Sequence, residues 1–277
     1  LLKKYDISSL ETVFMAGERL DPPTYDWAIE TIGRPVVDHW WQTETGWSIC
    51  ANPLGLDNLP AKAGSSTVAI AGYDLRILSD VGEALGANKK GNIVLKLPLP
   101  PGCLMGIWGD DSRLHESYLK EFPGYYSSGD GGYRDDDDYV FIMGRTDDVI
   151  NIAGHRLSTG EMEEVVGAHD MVAECAVVGV QDELKGQLPM ALVLLKAGAE
   201  INETQLGKDI SAMLRKTIGP IAVLKSAHIL SRLPKTRSGK ILRKVIRNIA
   251  NGDDYVVPST IDDPASLDEI RKLVINN

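Results

Sequence analysis

The sequence predicts an α/β plus α+β fold in two parts: a β-rich first part with a few helices, then a compact α+β unit after about residue 148. Short β-branched runs such as Val68-Ala69-Ile70 recur in the first half between Gly, Pro and Asp residues, a pattern typical of strands and turns. After residue 148 the strand and helix patterns alternate. With 43% hydrophobic and 25% charged residues, the 277-residue chain has the composition of a globular protein with a substantial core.

The first segments with strand character are separated by turn-forming residues. They cover residues 11–15, 67–78, 91–97, 139–143 and 149–152. Three prolines follow within residues 96–102, and because proline removes a ladder donor, this tract is predicted to be a loop or a sheet edge. Residues 135–138, all aspartates, are predicted to form a brief acidic turn.

The second part is predicted to alternate extended and helical segments. The helical segments are residues 159–168, 204–217 and 240–249, and the extended ones are 173–180, 189–195 and 223–230. Thr159 is expected to cap the first helix, with Glu161 and Glu164 near the positive end of its dipole. Another short helix is predicted to begin around residues 264–269.

Composition restricts the function classes. The formal charge of −10 argues against a nucleic-acid partner, because phosphate contacts need a basic surface. No stretch approaches the roughly 20 apolar residues of a membrane-spanning helix, so no membrane association is expected. Cys50, Cys103 and Cys175 lack disulfide-framework or zinc spacing, which predicts a reducing, intracellular setting, cytoplasmic or mitochondrial. Because the chain starts without Met or a signal-peptide core, an upstream region of the same protein is expected as a partner.

One basic cluster interrupts the acidic composition. It consists of Arg232, Lys235, Arg237, Lys240, Arg243, Lys244 and Arg247. A solvated helix face accounts for most of these residues. A local anion site is the sharper interpretation, and it suits a nucleotide better than a long polyanion.

Four motifs carry a family resemblance. They are Ala16-Gly17-Glu18-Arg19, the tract from Asp38 to Gly46, the run from Tyr126 through Asp130 to Asp148, and Pro234-Lys235-Thr236-Arg237-Ser238-Gly239-Lys240. In this order they resemble the adenylate-forming superfamily, and within it the acetyl- and propionyl-CoA synthetases. The double tryptophan before Gln42 and the Gly154-His155-Arg156 triplet are specific to that branch.

The resemblance implies a domain division and an activity. Residues 1–146 would be the C-terminal portion of the large adenylate-forming domain, and residues 147–277 a small mobile C-terminal domain with its hinge near Asp147. The activity would be that of an AMP-forming acid-thiol ligase using ATP, Mg²⁺ and coenzyme A. A Ser/Thr/Gly-rich phosphate loop ending in Pro-Lys-Gly is absent from the sequence, so the chain is expected to be inactive alone. A noncatalytic nucleotide-binding, CoA-binding or protein-interaction module is the alternative.

The resemblance also implies nucleotide-contacting residues. They are Gly17, Glu18, Arg19, Asp38, His39, Trp40, Gln42, Thr43, Asp130, Arg145 and Arg156. Thr43 would touch the α-phosphate region and Glu44 would help to hold Mg²⁺, which prefers oxygen ligands. Asp130, expected in a turn, would accept both ribose hydroxyls, and Arg145 would serve the ribose and phosphate side. His39 departs from the threonine common at this position. Without the motifs, turn or surface roles would be favoured for these residues.

The remaining implied roles concern the acid, coenzyme A and catalysis. Ala16 and Trp41 would line the acyl pocket, and since acetate-using relatives commonly have valine at position 16, propionate is favoured over acetate. Ala153, Gly154 and Arg215 would contact coenzyme A. Lys240 would neutralise charge growing on the α-phosphate. A catalytic lysine is also a candidate substrate for lysine acylation and deacylation enzymes.

Overall fold

The structure is a computed structural model that describes residues 4–275 and divides into two compact units, residues 1–146 (unit 1) and residues 147–277 (unit 2). Sheets and helices occur in both units, which confirms the predicted α/β plus α+β class. Within the described range, no helix is both long and apolar enough to cross a membrane.

Unit 1 begins with a β-α-β crossover. Strand β1 (Val13–Met15) runs parallel to β2 (Val36–Asp38), and helix α1 (Pro22–Ile32) connects them. The Asp21 carboxylate caps the helix by accepting a hydrogen bond from the Thr24 N–H at 3.0 Å, and Gly33 ends it in the left-handed conformation. Because the strands are parallel, the residues that follow them emerge side by side.

Two antiparallel sheets complete unit 1. The first contains β3 (Trp40–Trp41), β4 (Ser48–Ala51) and β5 (Val68–Ala69). The second is a meander of β6 (Leu75–Leu78), β7 (Gly91–Lys96), β8 (Tyr125–Arg134) and β9 (Val140–Arg145). Helix α2 (Asp111–Leu114), extended by a π-helical turn over His115–Leu119, precedes β8. A shared core that includes Ile49, Ile93, Leu95 and Tyr126 joins the two sheets.

Unit 2 is built on one long hairpin with a helix layer on each face. Its strands are β10 (Ile150–Ile152), β11 (His155–Leu157), β12 (Val172–Asp182), β13 (Gly186–Leu195) and β14 (Ser226–Ile229). Its helices are α3 (Thr159–Gly167), α4 (Glu203–Thr217), α5 (Arg243–Asn251) and α6 (Ser266–Ile275). Since side chains alternate along a strand, Val177 packs with α3 and α4 while Val178 packs with α5 and α6.

Several local predictions are wrong in detail. Residues 67–78 are two strands rather than one, because a turn at Ala71 and Gly72 separates β5 from β6. Ser158, not Thr159, caps α3 by accepting from the Glu161 N–H at 3.3 Å. Of residues 223–230 only Ser226–Ile229 form a strand.

Two errors concern candidate site residues. Asp130 was expected in a turn but lies within β8, a strand whose Ser and Gly content hides its pattern. Lys240 was expected to open a helix but lies in a tight turn, because α5 begins only at Arg243. The predicted helix over 204–217 and the strands over 173–180 and 189–195 are confirmed within longer elements.

Candidate functional site

The first two motifs meet at the ends of the parallel strands. Ala16-Gly17-Glu18-Arg19 directly follows β1, and Asp38 ends β2 opposite Met15. The His39 N–H donates to the Met15 carbonyl at 3.1 Å and continues the pairing for one more residue. The carboxyl ends of parallel strands are a common place for ligand crevices, because loops from neighbouring strands converge there.

Asp38 and His39 carry unusual electrostatics at this edge. Burial raises the pKa of the Asp38 carboxyl to about 6, against the opposing effects of the Ser66 hydroxyl and the Arg19 charge. The Nδ1 atom of His39 is buried and has no hydrogen-bond partner among the residues that the structure describes. Phe14 packs edge-on against the imidazole, with ring centroids 5.8 Å apart. An unsatisfied buried nitrogen is costly, so a ligand that bonds to it would remove that cost.

Gln42 links the second motif to the third. Its side-chain amide donates to Asp130 Oδ2 at 2.6 Å and to the Ser128 carbonyl at 2.8 Å. Its Oε1 accepts from the Tyr126 hydroxyl at 2.7 Å. One carboxamide therefore ties the loop after β3 to strand β8 over more than 80 positions of sequence.

Asp130 and Arg145 form the centre of this arrangement. The two residues lie opposite one another on β8 and β9, and Arg145 Nη1 is 3.8 Å from Asp130 Oδ1. Arg145 also donates to the Ser128 carbonyl at 2.9 Å. Gly129 has a φ of +68°, and a Cβ at this position would lie only 2.4 Å from Arg145 Nη2. A larger residue would therefore clash with the guanidinium group, and glycine leaves room for it. The Asp130 carboxylate is mostly buried, whereas Arg145 is half exposed.

Glu44 is oriented by an aromatic pair. The Tyr118 hydroxyl donates to Glu44 Oε1 at 2.7 Å, and this hydrogen bond raises the pKa of Tyr118. The Tyr118 ring stacks on Tyr126, with centroids 5.4 Å apart. Tyr126 in turn bonds to Gln42, so the hydrogen bonds and the ring stack connect Glu44 to Asp130.

The other site candidates of unit 1 are more open. Ala16, Gly17, Glu18 and Thr43 are exposed, Arg19 is partly buried, and Trp41 is 44% exposed. Trp40 packs against the core between the two antiparallel sheets, as a structural tryptophan would. Within unit 1, then, the structure shows two arrangements: the ends of β1 and β2 lie side by side, and hydrogen bonds and a ring stack connect Gln42, Glu44 and the Asp130–Arg145 pair.

In unit 2, Lys240 is exposed in a turn closed on both sides by hydrogen bonds. The Thr236 N–H donates to the Lys240 carbonyl at 2.8 Å, and the Lys240 N–H donates to Thr236 Oγ1 at 3.1 Å. The segment 259–262, which we call the tail, pairs with the same turn. The Arg237 N–H donates to the Thr260 carbonyl at 3.0 Å, and the Asp262 N–H donates to the Lys235 carbonyl at 2.8 Å. The tail thus braces the turn that carries the lysine.

The basic cluster around Lys240 is largely neutralised within unit 2. Four of its members are paired with carboxylates: Arg232 with Asp263, Lys235 with Glu174, Arg243 with Glu163, and Arg247 with Asp148. Within the described range, Arg237, Lys240 and Lys244 have no carboxylate partner, and all three are exposed. The cluster is therefore more than a solvated face, because four of its members are engaged in ion pairs, and a local anion site that includes Lys240 stays a prediction.

The remaining candidates lie on separate elements of unit 2. Ala153 and Gly154 form the turn between β10 and β11, with φ values of +48° and +85°. Arg156 follows on β11 and Arg215 lies in the last turn of α4, and both are exposed. Asp147 is the first residue of unit 2.

Sequence reasoning missed three residues of the site. Tyr118, Tyr126 and Ser128 connect the predicted residues, yet none of the three was assigned a role of its own. Tyr126 and Ser128 belong to the quoted motif, so their adjacency to Asp130 was the available signal. Tyr118 lies outside every motif, and only the packing of the π-helical turn against β8 reveals it.

Comparison with known families accounts for most of the chain. The family model described as "AMP-binding enzyme" matches residues 1–108, and the model described as "AMP-binding enzyme C-terminal domain" matches residues 161–240. The first match contains the motifs around Gly17 and Gln42. The second ends at Lys240.

Curated relatives align with nearly the whole chain. An uncharacterized protein of Pseudomonas aeruginosa is 56% identical over 270 residues, covering 98% of this chain and 43% of that protein. The propionate–CoA ligase of Escherichia coli (strain K12) is 48% identical over 279 residues, with 98% and 44% covered. The human protein named acyl-CoA synthetase short-chain family member 3, mitochondrial, is 44% identical over 276 residues, with 98% and 40% covered. The chain thus spans less than half the length of these relatives.

Solved structures share the fold. The anthranilate CoA ligase AuaEII in complex with anthranoyl-AMP superposes with a TM-score of 0.76 at 26% identity, covering 90% of this chain and 46% of that one. ATP-bound MatB from Rhodopseudomonas palustris gives a TM-score of 0.73 at 25% identity, with 86% and 44% covered. Taken with the sequence matches, these likenesses show that the chain belongs to the AMP-forming acid–CoA ligase family, in the branch of the propionyl- and acetyl-CoA synthetases.

Proposed function

We propose that the full-length gene product activates a short-chain carboxylate with ATP and transfers it to coenzyme A. In the first step a carboxylate oxygen attacks the α-phosphorus and pyrophosphate leaves, giving acyl-AMP. In the second step the thiol of coenzyme A attacks the acyl carbonyl and AMP leaves. The observation that carries the proposal is the Gln42–Asp130–Arg145 network, whose first member follows the end of β2 by four residues.

The nucleotide would bind to unit 1. Asp130 offers a fixed anionic acceptor for the two ribose hydroxyls, and Gln42 holds that carboxylate in position. Arg145 lies close enough to serve the ribose and phosphate side. The unsatisfied Nδ1 of His39 suits a nucleobase N–H group, so histidine can replace the usual threonine without loss of a contact.

Magnesium would be held through Glu44. A magnesium ion bound with ATP usually takes one or two carboxylates together with phosphate oxygens and water, so a single oriented carboxylate fits such a site. The ion would supply neutralisation of phosphate charge. Glu44 would bind, Tyr118 would orient it, and Thr43 would contact the α-phosphate region.

The acid would lie against Ala16 and Trp41. Alanine at position 16 leaves space for about one or two CH₂ groups beyond acetate, worth ~0.8 kcal/mol each when buried. Propionate is therefore the proposed substrate, and acetate a poorer one. The name of the Escherichia coli relative supports the same choice.

Lys240 would act only in the first step. Its braced, exposed turn presents the ammonium without a carboxylate partner among the described residues, so the charge is available to an α-phosphate. Unit 2 would take a second orientation for thioester formation, pivoting at Asp147. There the exposed turn at Ala153 and Gly154 would contact the pantetheine arm, and Arg156 and Arg215 would contact phosphates.

The test uses the full-length protein with propionate, acetate and butyrate, and it measures pyrophosphate release and acyl-CoA formation. Lys240→Ala should reduce pyrophosphate release at least about 100-fold, yet leave thioester formation from synthetic propionyl-AMP within about threefold. Lys244→Ala, a change at another exposed lysine four residues on, should resemble the wild type. Unchanged pyrophosphate release in Lys240→Ala would overturn the assignment.

The 277-residue chain alone gives a second test, against the alternative of a noncatalytic module. Calorimetry with AMP and with coenzyme A should show weak binding, and no pyrophosphate should be released with ATP and propionate. Robust turnover by this chain would contradict the proposed need for further residues.

A further inference from the structure

Arg247, outside every motif that we assigned to catalysis, holds the first residues of unit 2. Its Nη1 donates to the main-chain carbonyl of Asp147 at 2.8 Å and lies 3.5 Å from Asp148 Oδ1. The side chains of Arg247 and Asp148 are 24% and 18% exposed, so the contact is largely shielded from water. Arg247 lies on α5, only seven residues after Lys240.

The surroundings make this anchor specific. A small pocket lies beside it, lined in part by Asp148, Thr159, Gln187, Arg243 and Arg247. Arg243, one turn earlier on α5, is held by Glu163 in a two-point ion pair at 2.9 Å. Downstream of the anchor, the Asn151 N–H donates to Gln187 Oε1 at 2.9 Å. The segment after Asp147 is thus fixed to α5 and to β13.

We infer that Arg247 is a positioning residue that confines the pivot of unit 2 to the torsions of Asp147. This inference rests on the proposed function, because it assumes that unit 2 takes two orientations. The torsions of Asp147 would change between the two orientations, and those of Asp148 would not.

Peptide geometry separates the torsions of Asp147 from those of Asp148. The Asp147 carbonyl belongs to the rigid peptide plane that also contains the Asp148 nitrogen. With unit 2 as the fixed frame, rotation about φ or ψ of Asp148 would swing that carbonyl away from Arg247. Rotation about φ or ψ of Asp147 moves only the chain before it and leaves the plane in place. A charge-assisted hydrogen bond therefore resists the first pair of rotations and permits the second.

A confined pivot has a functional consequence. Two discrete orientations require that few torsions change, because each additional free torsion adds intermediate arrangements. Reacting groups displaced by about 1 Å lose rate steeply. Loss of the anchor should therefore broaden the range of orientations and slow both half-reactions.

The first readout is a distance distribution in the full-length protein. Spin labels are placed at two exposed positions, Lys89→Cys in unit 1 and Glu200→Cys in unit 2, in a Cys175→Ser background. Pulsed electron resonance then gives the label separations for the unsubstituted protein, Arg247→Ala, Arg247→Lys and Lys244→Ala. Arg247→Ala should make each peak of the label–label distance distribution about twofold wider. Arg247→Lys should largely restore the width, because an ammonium can also donate to the Asp147 carbonyl. Lys244→Ala, an exposed residue of the same helix, should leave it unchanged.

The second readout is kinetic. In Arg247→Ala, kcat for pyrophosphate release and for thioester formation should each fall about tenfold, while the KM for ATP changes less than about twofold. An unchanged distance distribution in Arg247→Ala would overturn the inference. If Arg247→Ala fails to fold, Arg247→Met, which keeps an unbranched side chain but has no donor, decides in the same way: an unchanged width in that variant would overturn the inference. Absence of acyl-AMP formation by the unsubstituted protein would refute the proposed function, whereas the label distances would still test Arg247.

Discussion

At the scale of single residues, Gln42 is the feature on which most of the unit 1 site depends. Its carboxamide donates twice and accepts once within the site, so no other residue of its size could replace all three bonds. The hydrogen bonds also fix the otherwise ambiguous orientation of the amide, since only one arrangement satisfies Tyr126 and Asp130 together.

Gln42→Glu should test this role with almost no change of shape. The variant sets a carboxylate beside Asp130 Oδ2, where the amide now donates at 2.6 Å, and like charges at that distance cannot both ionise easily. The free energy of unfolding should fall by ~2 kcal/mol near pH 8 and recover as the pH drops and the pair takes up a proton. Urea unfolding at several pH values measures this.

An exposed pair in the same chain provides the matched control. Gln205 donates to Asp209 at 2.8 Å on the surface of α4, so Gln205→Glu makes the same chemical change in water. Its effect on unfolding should stay within ~0.5 kcal/mol. Equal effects of the two variants would contradict the role assigned to Gln42.

Asp38 gives a second prediction, with a pH dependence of definite sign. Its carboxyl has a folded-state pKa of about 6, above the ordinary value of 3.8, because burial disfavours the charge. The folded protein holds this proton more tightly than the unfolded chain, so stability is lost as the pH rises from about 4 to about 6, and the loss is complete above that range.

Asp38→Asn should remove the loss of stability that accompanies ionisation of the Asp38 carboxyl. The variant should be more stable than the unsubstituted protein at pH 8 by ~1–3 kcal/mol and nearly equal to it at pH 4. Thermal melts across this range check the difference, and Asp253→Asn, an exposed change, should show no such trend. A stability difference that grows toward low pH would count against a raised pKa.

At the scale of elements, the segment 259–262 acts as a strand-like brace for the turn of Lys240. Thr236 pairs with Ile261 as a β-bridge, and Ile261 is buried among side chains of β12, β13, α5 and α6. The tail is therefore anchored by an apolar side chain and bonded to the turn by its backbone.

Ile261→Ala should loosen the brace selectively. The lost side chain should cost ~2–4 kcal/mol of unfolding free energy, and the amides of Arg237 and Asp262, which bond across the brace, should exchange hydrogen faster. Ile249→Ala is the control, because Ile249 is 6% exposed in the same core, as Ile261 is, but lies on α5. If Ile249→Ala speeds hydrogen exchange at the Arg237 and Asp262 amides as much as Ile261→Ala does, the segment 259–262 does not stabilise the turn locally.

The elements also show where sequence reasoning succeeds and where it stops. Helix α4 and the β12–β13 hairpin were predictable because Leu206, Ile210 and Leu214 recur at helical spacing, valines recur in β12, and an apolar run forms most of β13. Strand β8 was not, since Ser127, Ser128 and Gly129 lower its strand propensity and a bulge interrupts its pairing with β7.

The same limits apply to the candidate site. A strand over residues 11–15 was predicted, but the crossover that places the end of β2 beside that of β1 was not. The link from Gln42 to Asp130 joins residues 88 positions apart and depends on sheet register. The turn of Lys240 was predicted as helix because the pattern of α5 continues backward through Ile241. The bridge from Thr236 to Ile261, 25 residues downstream, has no local signal.

At the scale of the molecule, the charge distribution differs from what the net value suggests. The chain carries a formal charge of −10, and its basic cluster is mostly neutralised by carboxylates of the same unit. An anion that approaches unit 2 therefore meets a few local cations rather than a broad positive field.

Those internal ion pairs imply tolerance of added electrolyte. Potassium chloride weakens attraction over distances beyond the Debye length, about 10 Å at 0.1 M, but it has less effect on a cation in direct contact with a phosphate oxygen. The KM for ATP of the full-length protein should thus vary by less than about threefold between 50 and 300 mM salt. A protein with this property would keep a nearly constant KM for ATP when the salt concentration of its surroundings changes.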